Sequence, residues 1–159
     1  MCSNKRGEEK ASHIVSAWSK EDGFCLGQKA VKEKSNEITA IPELLEKIQI
    51  KGQIITIDAM GTQTAIAGKI RQKRADYVLA LKKNQYIMYE DVKEYFSNEE
   101  FQKEMREKGA YKKTREKAHG QIEIREYYQT EDIRWLSQKK NWKGLRSIVM
   151  EKKRIEKAG

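Results

Sequence analysis

Residues 54–61, Ile-Ile-Thr-Ile-Asp-Ala-Met-Gly, put a carboxylate, Asp58, at the end of a β-branched apolar run and just before a glycine. Such a run is too short and too continuously apolar for a surface helix, and fits a strand buried on both faces. A helical pattern rich in Ala and Ile follows over residues 62–72. An acid delivered at the C-terminal end of a strand, ahead of a helix, stands at the ligand edge of an α/β sheet. There it can ligate a divalent cation or accept a phosphoryl group. The plainer alternative is an Asp that caps the turn or helix after it.

Four more candidates follow a second apolar run, residues 77–81. Lys82, Lys83, Asn84 and Gln85 are expected on the same sheet edge as Asp58. Lysine neutralises phosphate as a point charge, and Asn and Gln donate to phosphate oxygens or bases. Solvated lysines beside an Asn cap are the structural alternative. A third candidate region is residues 119–125, His-Gly-Gln-Ile-Glu-Ile-Arg, with Glu123 as an acid and Arg125 as a phosphate contact. Ile122 and Ile124 alternate with polar residues, so Glu123 sits on a strand where an outward-facing polar residue is common. Arg71, Lys73 and Arg74 close a helical stretch and suit its negative pole. His13 and His119 have no partners at metal spacing.

The elements that must position these groups read as follows. Residues 13–18 and 24–32 form strands, and Glu21-Asp22-Gly23 is a turn signal that joins them as a hairpin. Thr39 caps a helix with Ile41, Leu44, Leu45 and Ile48 on one side and Pro42 in its first turn, and Gly52 breaks it. Thr62 caps the next helix, whose apolar side is Ala65, Ile66 and Ile70. Strand, helix, strand over residues 54–81 implies a parallel βαβ unit. Met88, Val92, Tyr95 and Phe96 recur at helical spacing and read as core. Residues 98–108 are a charged, solvated helix. An extended period starts at Tyr111, and a last strand over residues 145–150 precedes a charged tail.

Composition sets the outer limits. A chain of 159 residues is expected to be one domain with a real core. Lys plus Arg number 33 against 24 acids, for a net charge of +9. This surplus points to a polyanion, nucleic acid first, or to a merely charged surface. Cys2 and Cys25 carry no zinc spacing and fit a reducing cytosol. No apolar run approaches the roughly 20 residues of a membrane span. A glycine-rich phosphate loop is absent. A cytoplasmic protein is expected.

Residues 33–38, 54–61 and 76–85 together resemble the catalytic core of H-repeat-associated, insertion-sequence transposases of the DDE, RNase H-like class. The resemblance covers about residues 11–155, leaving 1–10 and 156–159 as polar ends. It implies an α/β fold, an RNase H-like mixed sheet in which an antiparallel hairpin joins a parallel βαβ unit, flanked by helices. It implies DNA transposition: cutting and joining of duplex DNA by three acids that hold two Mg²⁺ ions, with a homodimer as the full-length form. Asp58 matches the second acid. The family's first acid stands in an Asp-Gly-Lys motif on a first strand, which has no counterpart here. Glu123 is the visible candidate for the third, although the family's Glu belongs to a later helical motif that this chain lacks. The fold also opens with three antiparallel strands, where this chain has two before its first helix. The chain is therefore expected to be an incomplete, inactive copy, or alternatively a non-catalytic nucleic-acid-binding remnant. A small phosphotransfer domain with Asp58 as acceptor would need further acids at neighbouring strand ends.

Overall fold

The computed structural model describes residues 13–31, 37–118 and 121–157. Residues 33–36 of the first matching segment, together with Lys32, His119 and the N-terminal polar stretch, lie outside the described residues. The chain divides into two compact units, residues 1–80 and 81–159. Its architecture mixes helices with parallel and antiparallel sheets, as expected.

In the first unit, β1 (His13–Trp18) and β2 (Cys25–Val31) form an antiparallel hairpin. Gly23 takes a φ of 69° in the turn, a backbone state that favours glycine. Helix α1 (Glu37–Lys47) buries Ala40, Leu44 and Leu45. Gly27 of β2 lets Leu44 and Ile48 approach closely: a Cβ there would stand 3.1 Å and 3.3 Å from their methyl groups. Next, β3 (Ile54–Ile57) and β4 (Asp76–Leu79) pair in parallel, with Ile54 opposite Asp76 and Ile57 opposite Leu79. Helix α2 (Thr64–Gln72) connects them. The core joins Leu45, Ile48 and Ile50 to Ile66, Ile70 and Ala75, with Ile55, Ile57 and Tyr77 packed against it.

Two expectations about this unit are corrected. The strand at 54–57 is covered on one face only: Ile55 and Ile57 point to the core, while Ile54 is 66% exposed and Val78 of β4 60% exposed. Nor does the hairpin extend the β3–β4 sheet. It forms its own two-stranded sheet, seated on α1.

In the second unit, α3 (Tyr86–Ser97) buries Met88 and Phe96. Asn98 then caps α4 (Glu99–Glu107), its side-chain oxygen accepting the N–H of Glu100 at 2.9 Å and of Phe101 at 3.4 Å. Strands β5 (Tyr111–Ala118), β6 (Gln121–Thr130) and β7 (Ile148–Lys157) follow as an antiparallel sheet with β6 in the middle. The last strand starts three residues later than the apolar pattern suggests and runs through the charged stretch. The reason is the ladder: ten residues of β7 pair with β6, from Ile148 opposite Thr130 to Lys157 opposite Gln121. Its charges lie along exposed positions instead of a solvated tail. No described helix is long and apolar enough to cross a membrane.

The C-terminal end of α1 shows how the first unit is tied. Four carbonyls at a helix end lack intrahelical donors. Lys73, just after α2, donates from Nζ to the carbonyls of Leu45 at 2.5 Å, Glu46 at 3.1 Å and Ile48 at 2.9 Å. Hydrogen bonds from a charged donor contribute about 1.5–3 kcal/mol. Lys73→Met keeps the stem and removes the donor. We expect it to lower stability by about 2 kcal/mol in urea unfolding, with no change in binding of any ligand by the second unit. A loss below about 0.5 kcal/mol would assign the anchoring to the apolar contacts alone.

Candidate functional site

Asp58 follows directly on β3, as the residue pattern predicts. Its Oδ1 accepts the N–H of Met60 at 3.1 Å and of Gly61 at 3.4 Å, which closes a tight turn. Thus the capping role is real. The carboxylate is also exposed at the C-terminal end of a parallel strand, and Oδ2 accepts no hydrogen bond among the described residues. One oxygen of this exposed carboxylate thus fixes the turn, and the other keeps its acceptor capacity among the described residues.

Two neighbours fix where that carboxylate points. Thr62, 2% exposed, was expected to cap α2. Instead Gln63 occupies the cap position, without a side-chain cap. The Thr62 hydroxyl turns back and lies 2.7 Å from the carbonyl of Ala80 and 3.1 Å from that of Asp58. Having one proton, it bridges the chain just past β3 to the chain just past β4. Gly61 is the second. A Cβ at this position would overlap the Ile57 side chain and come 2.9 Å from Ile41. Glycine is needed here for space. Neither role was assigned from sequence; the Asp-x-x-Gly-Thr order was the available signal.

The remaining candidates lie in the second unit. Lys82, Lys83 and Asn84 are exposed and Gln85 is half-buried. Lys83–Gln85 form one turn of 3₁₀ helix, with Lys82 in extended conformation before it. Among the described residues neither lysine is ion-paired. Glu123 and Arg125 are brought together on β6, but with each other. Arg125 Nε donates to Glu123 Oε1, Arg125 Nη1 lies 3.1 Å from Glu151 Oε1, and Lys153 Nζ pairs with Glu123 Oε2. Hydrogen bonds from Lys153 and then Arg125 hold the Glu123 carboxyl below the usual carboxylate range. The hydrogen bond to Glu123 likewise raises the Arg125 guanidinium. Both oxygens of Glu123 are thus taken by cations.

The DDE chemistry needs acids that converge on two ions. Among the described residues no group of three or more His, Cys, Asp or Glu side chains comes together. They supply Asp58 as a single exposed carboxylate, which does not fit a two-ion site by itself.

Comparison with known proteins gives the context for these residues. The family model for the transposase DDE domain matches residues 2–149. The chain is 48% identical over 121 residues to "Putative transposase YncI" of Escherichia coli K12, covering 76% of this chain and 48% of that protein. It is 41% identical over 122 residues to "H repeat-associated putative transposase YbfD" of the same strain, covering 77% and 47%. It is 40% identical over 157 residues to an uncharacterized protein from the dhlA 3′ region of Xanthobacter autotrophicus, covering 99% and 52%. The chain spans about half the length of these relatives. No solved structure gives a significant match.

Two outcomes follow from the geometry. Thr62→Val deletes the bridge and leaves the Ala80 carbonyl without that donor, so we expect a loss of about 1–3 kcal/mol in thermal or urea unfolding. Gly61→Ala should be comparable, about 1–3 kcal/mol, through overpacking against Ile57 and Ile41. The second concerns acid. Asp132 is held at about 2, against 3.8 ordinarily, by the Arg134 side chain and backbone N–H. A depressed carboxylate stabilises the fold above its unfolded value and loses that contribution as pH falls through the folded value. Stability contributed by Asp132 should therefore fade between pH 3.8 and about 2. Asp132→Asn should flatten that part of the acid unfolding curve; an unchanged curve would mean the Arg134 pair contributes nothing in solution.

Proposed function

Because this chain belongs to the DDE transposase family, we propose that it is a DNA-binding part of an insertion-sequence transposase, with Asp58 as one metal-ligating carboxylate of the cutting and joining reaction. The observation that carries this reading is the position of Asp58: exposed, at the C-terminal end of a parallel strand, with one oxygen held by the turn and the other accepting no hydrogen bond among the described residues. The net charge of +9 supports a duplex DNA partner. Lys82 and Lys83 are candidate phosphate contacts, with Asn84 and Gln85 beside them. In such a reaction Asp58 would help to hold a divalent ion, and the ion would supply activation of an attacking oxygen and charge stabilisation at a leaving oxygen. A single carboxylate does little to offset the reluctance of Mg²⁺ to shed water, so ion binding at Asp58 alone is weak.

A second reading, a non-catalytic DNA-binding protein, is favoured by one specific observation. Glu123, the other acid candidate, has both oxygens engaged by Arg125 and Lys153. On this reading Glu123 organises the sheet, and Asp58 keeps only its turn.

The two readings separate in a metal titration. With Mn²⁺ as the probe, the first expects paramagnetic broadening of amide signals centred on Asp58, strongest at residues 58–61, fading with distance and lost in Asp58→Asn. Broadening centred elsewhere, or none at all, supports the second. Nicking of supercoiled plasmid with Mg²⁺ or Mn²⁺ is expected at background for this chain and for Asp58→Ala alike. Metal-dependent nicking that disappears in both Asp58→Ala and Glu123→Ala would instead make Glu123 a ligand and the chain an enzyme.

A further inference from the structure

The three-stranded sheet of the second unit separates its charges by face. The ladder puts Lys113 opposite Glu126 and Lys152, Arg115 opposite Ile124 and Arg154, and Lys117 opposite Ile122 and Glu156. Side chains alternate between faces, so these residues share one face. It carries Lys113, Arg115, Lys117, Lys152 and Arg154 against Glu126 and Glu156. The opposite face carries Lys112, Arg125, Lys153 and Lys157 against Glu116, Glu123 and Glu151, and there the ion pairs converge on Glu123 and Arg125.

The first face is not cancelled in the same way. Lys152 donates to Gln102 of α4 at 2.8 Å and lies over the Tyr128 ring, and Arg154 pairs with Glu156 at 3.1 Å. Glu126 accepts the Tyr111 hydroxyl at 2.7 Å. Lys113, Arg115 and Lys117, all exposed on β5, form no ion pair among the described residues. Helix α4 sits on the Tyr128 end of this face, through Arg106 and Gln102. The three cations extend away from it along β5.

We propose that Lys113, Arg115 and Lys117, with Arg154 on β7, form a ridge that binds the phosphate backbone of duplex DNA without reading its sequence. This assignment rests on the DNA reading above and gives it a surface that neither Lys82–Gln85 nor Arg125 supplies. Same-face residues on a strand stand about 6.8 Å apart. One strand of B-form DNA advances about 3.4 Å along the axis per phosphate. Because successive phosphates also wind around that axis, their through-space separation is roughly twice this rise, and the three cations match successive phosphates along one strand. Lysines on an edge strand also deter pairing with other chains. That role needs charge on the edge but no division between faces, and here acids from β6 and β7 cancel one face and leave the other basic.

The test is salt-dependent binding of a labelled duplex of arbitrary sequence by the whole chain, read by fluorescence anisotropy. In the triple variant Lys113→Gln, Arg115→Gln, Lys117→Gln, the slope of log affinity against log salt should fall by about 2.7, three phosphates at about 0.9 each. Lys113→Arg with Lys117→Arg should keep the wild-type slope, which separates charge loss from damage to the strand. The triple control Lys20→Gln, Lys93→Gln, Lys103→Gln removes the same net charge from other exposed positions and should change the slope little. A folded ridge variant with the wild-type slope would overturn the ridge while leaving DNA binding standing. A control that loses as much slope as the ridge variant would overturn it too, by reducing the effect to net charge. Wild-type protein that binds no duplex at low salt would overturn both the ridge and the DNA reading. Preference for duplex RNA over DNA, lost in the ridge variant, would overturn the DNA assignment of this surface.

Discussion

The first unit depends on one buried hydroxyl. β3 and β4 share only four residue pairs, and a short parallel ladder is intrinsically weak compared with an antiparallel one. Thr62 lies within reach of the carbonyls of both Asp58 and Ala80, so the turn that follows β3 is tied to the chain that leaves β4. At the other end, Gly52 N–H donates to the Arg74 carbonyl and Asp76 N–H to that of Gln53. The two strands are thus held at both ends by bonds outside their own ladder. The orientation of Asp58 follows from this: its turn cannot rotate without breaking the bridge or driving Gly61 into Ile57.

Packing around that pair is one-sided. Residues 55, 57 and 77 join the core with α1 and α2, while Ile54 and Val78 are exposed. An apolar run therefore need not mean burial on both faces. β-branched residues also favour an extended backbone by their stiff χ1 rotamers, whatever covers them. The same chemistry explains why the strand itself was predictable and its surroundings were not.

In the second unit, electrostatics and packing are interleaved. Arg106 of α4 donates to the Tyr128 hydroxyl at 2.6 Å and lies over the rings of Tyr111 and Tyr128. Tyr95 of α3 stacks on Trp135 at 4.2 Å and approaches the Thr130 hydroxyl at 3.3 Å. These contacts join helices to the sheet through amphipathic side chains, whose apolar bodies are covered while their polar ends find partners. A mean hydropathy of −0.89 is compatible with a folded unit for this reason.

Much of the chain was legible as sequence. The hairpin around Gly23, the strand ending at Asp58, the helix carrying Met88 and Phe96, and the extended period of Ile122, Ile124 and Tyr128 all follow from local periodicity and turn chemistry. The charged helix over residues 98–108, expected to be solvated, instead buries Gln102 and Met105. The family resemblance rests on contiguous segments, residues 54–61 and 76–85 among them, which a linear sequence displays directly. What the sequence could not determine was pairing. Whether residues 151–157 are a tail or a strand depends on β6 lying alongside, a long-range partner that no local pattern encodes. Whether Glu123 is free or held depends on Arg125 two residues away and on Lys153 thirty residues away in sequence, which only the β6–β7 register brings together. Thr62 looked like a helix cap because its local options include one. The carbonyl of Ala80, delivered by the parallel crossover, outcompeted that role. Local physics chose the elements. Hydrogen-bond and charge satisfaction between distant segments decided which side chains remained available for chemistry.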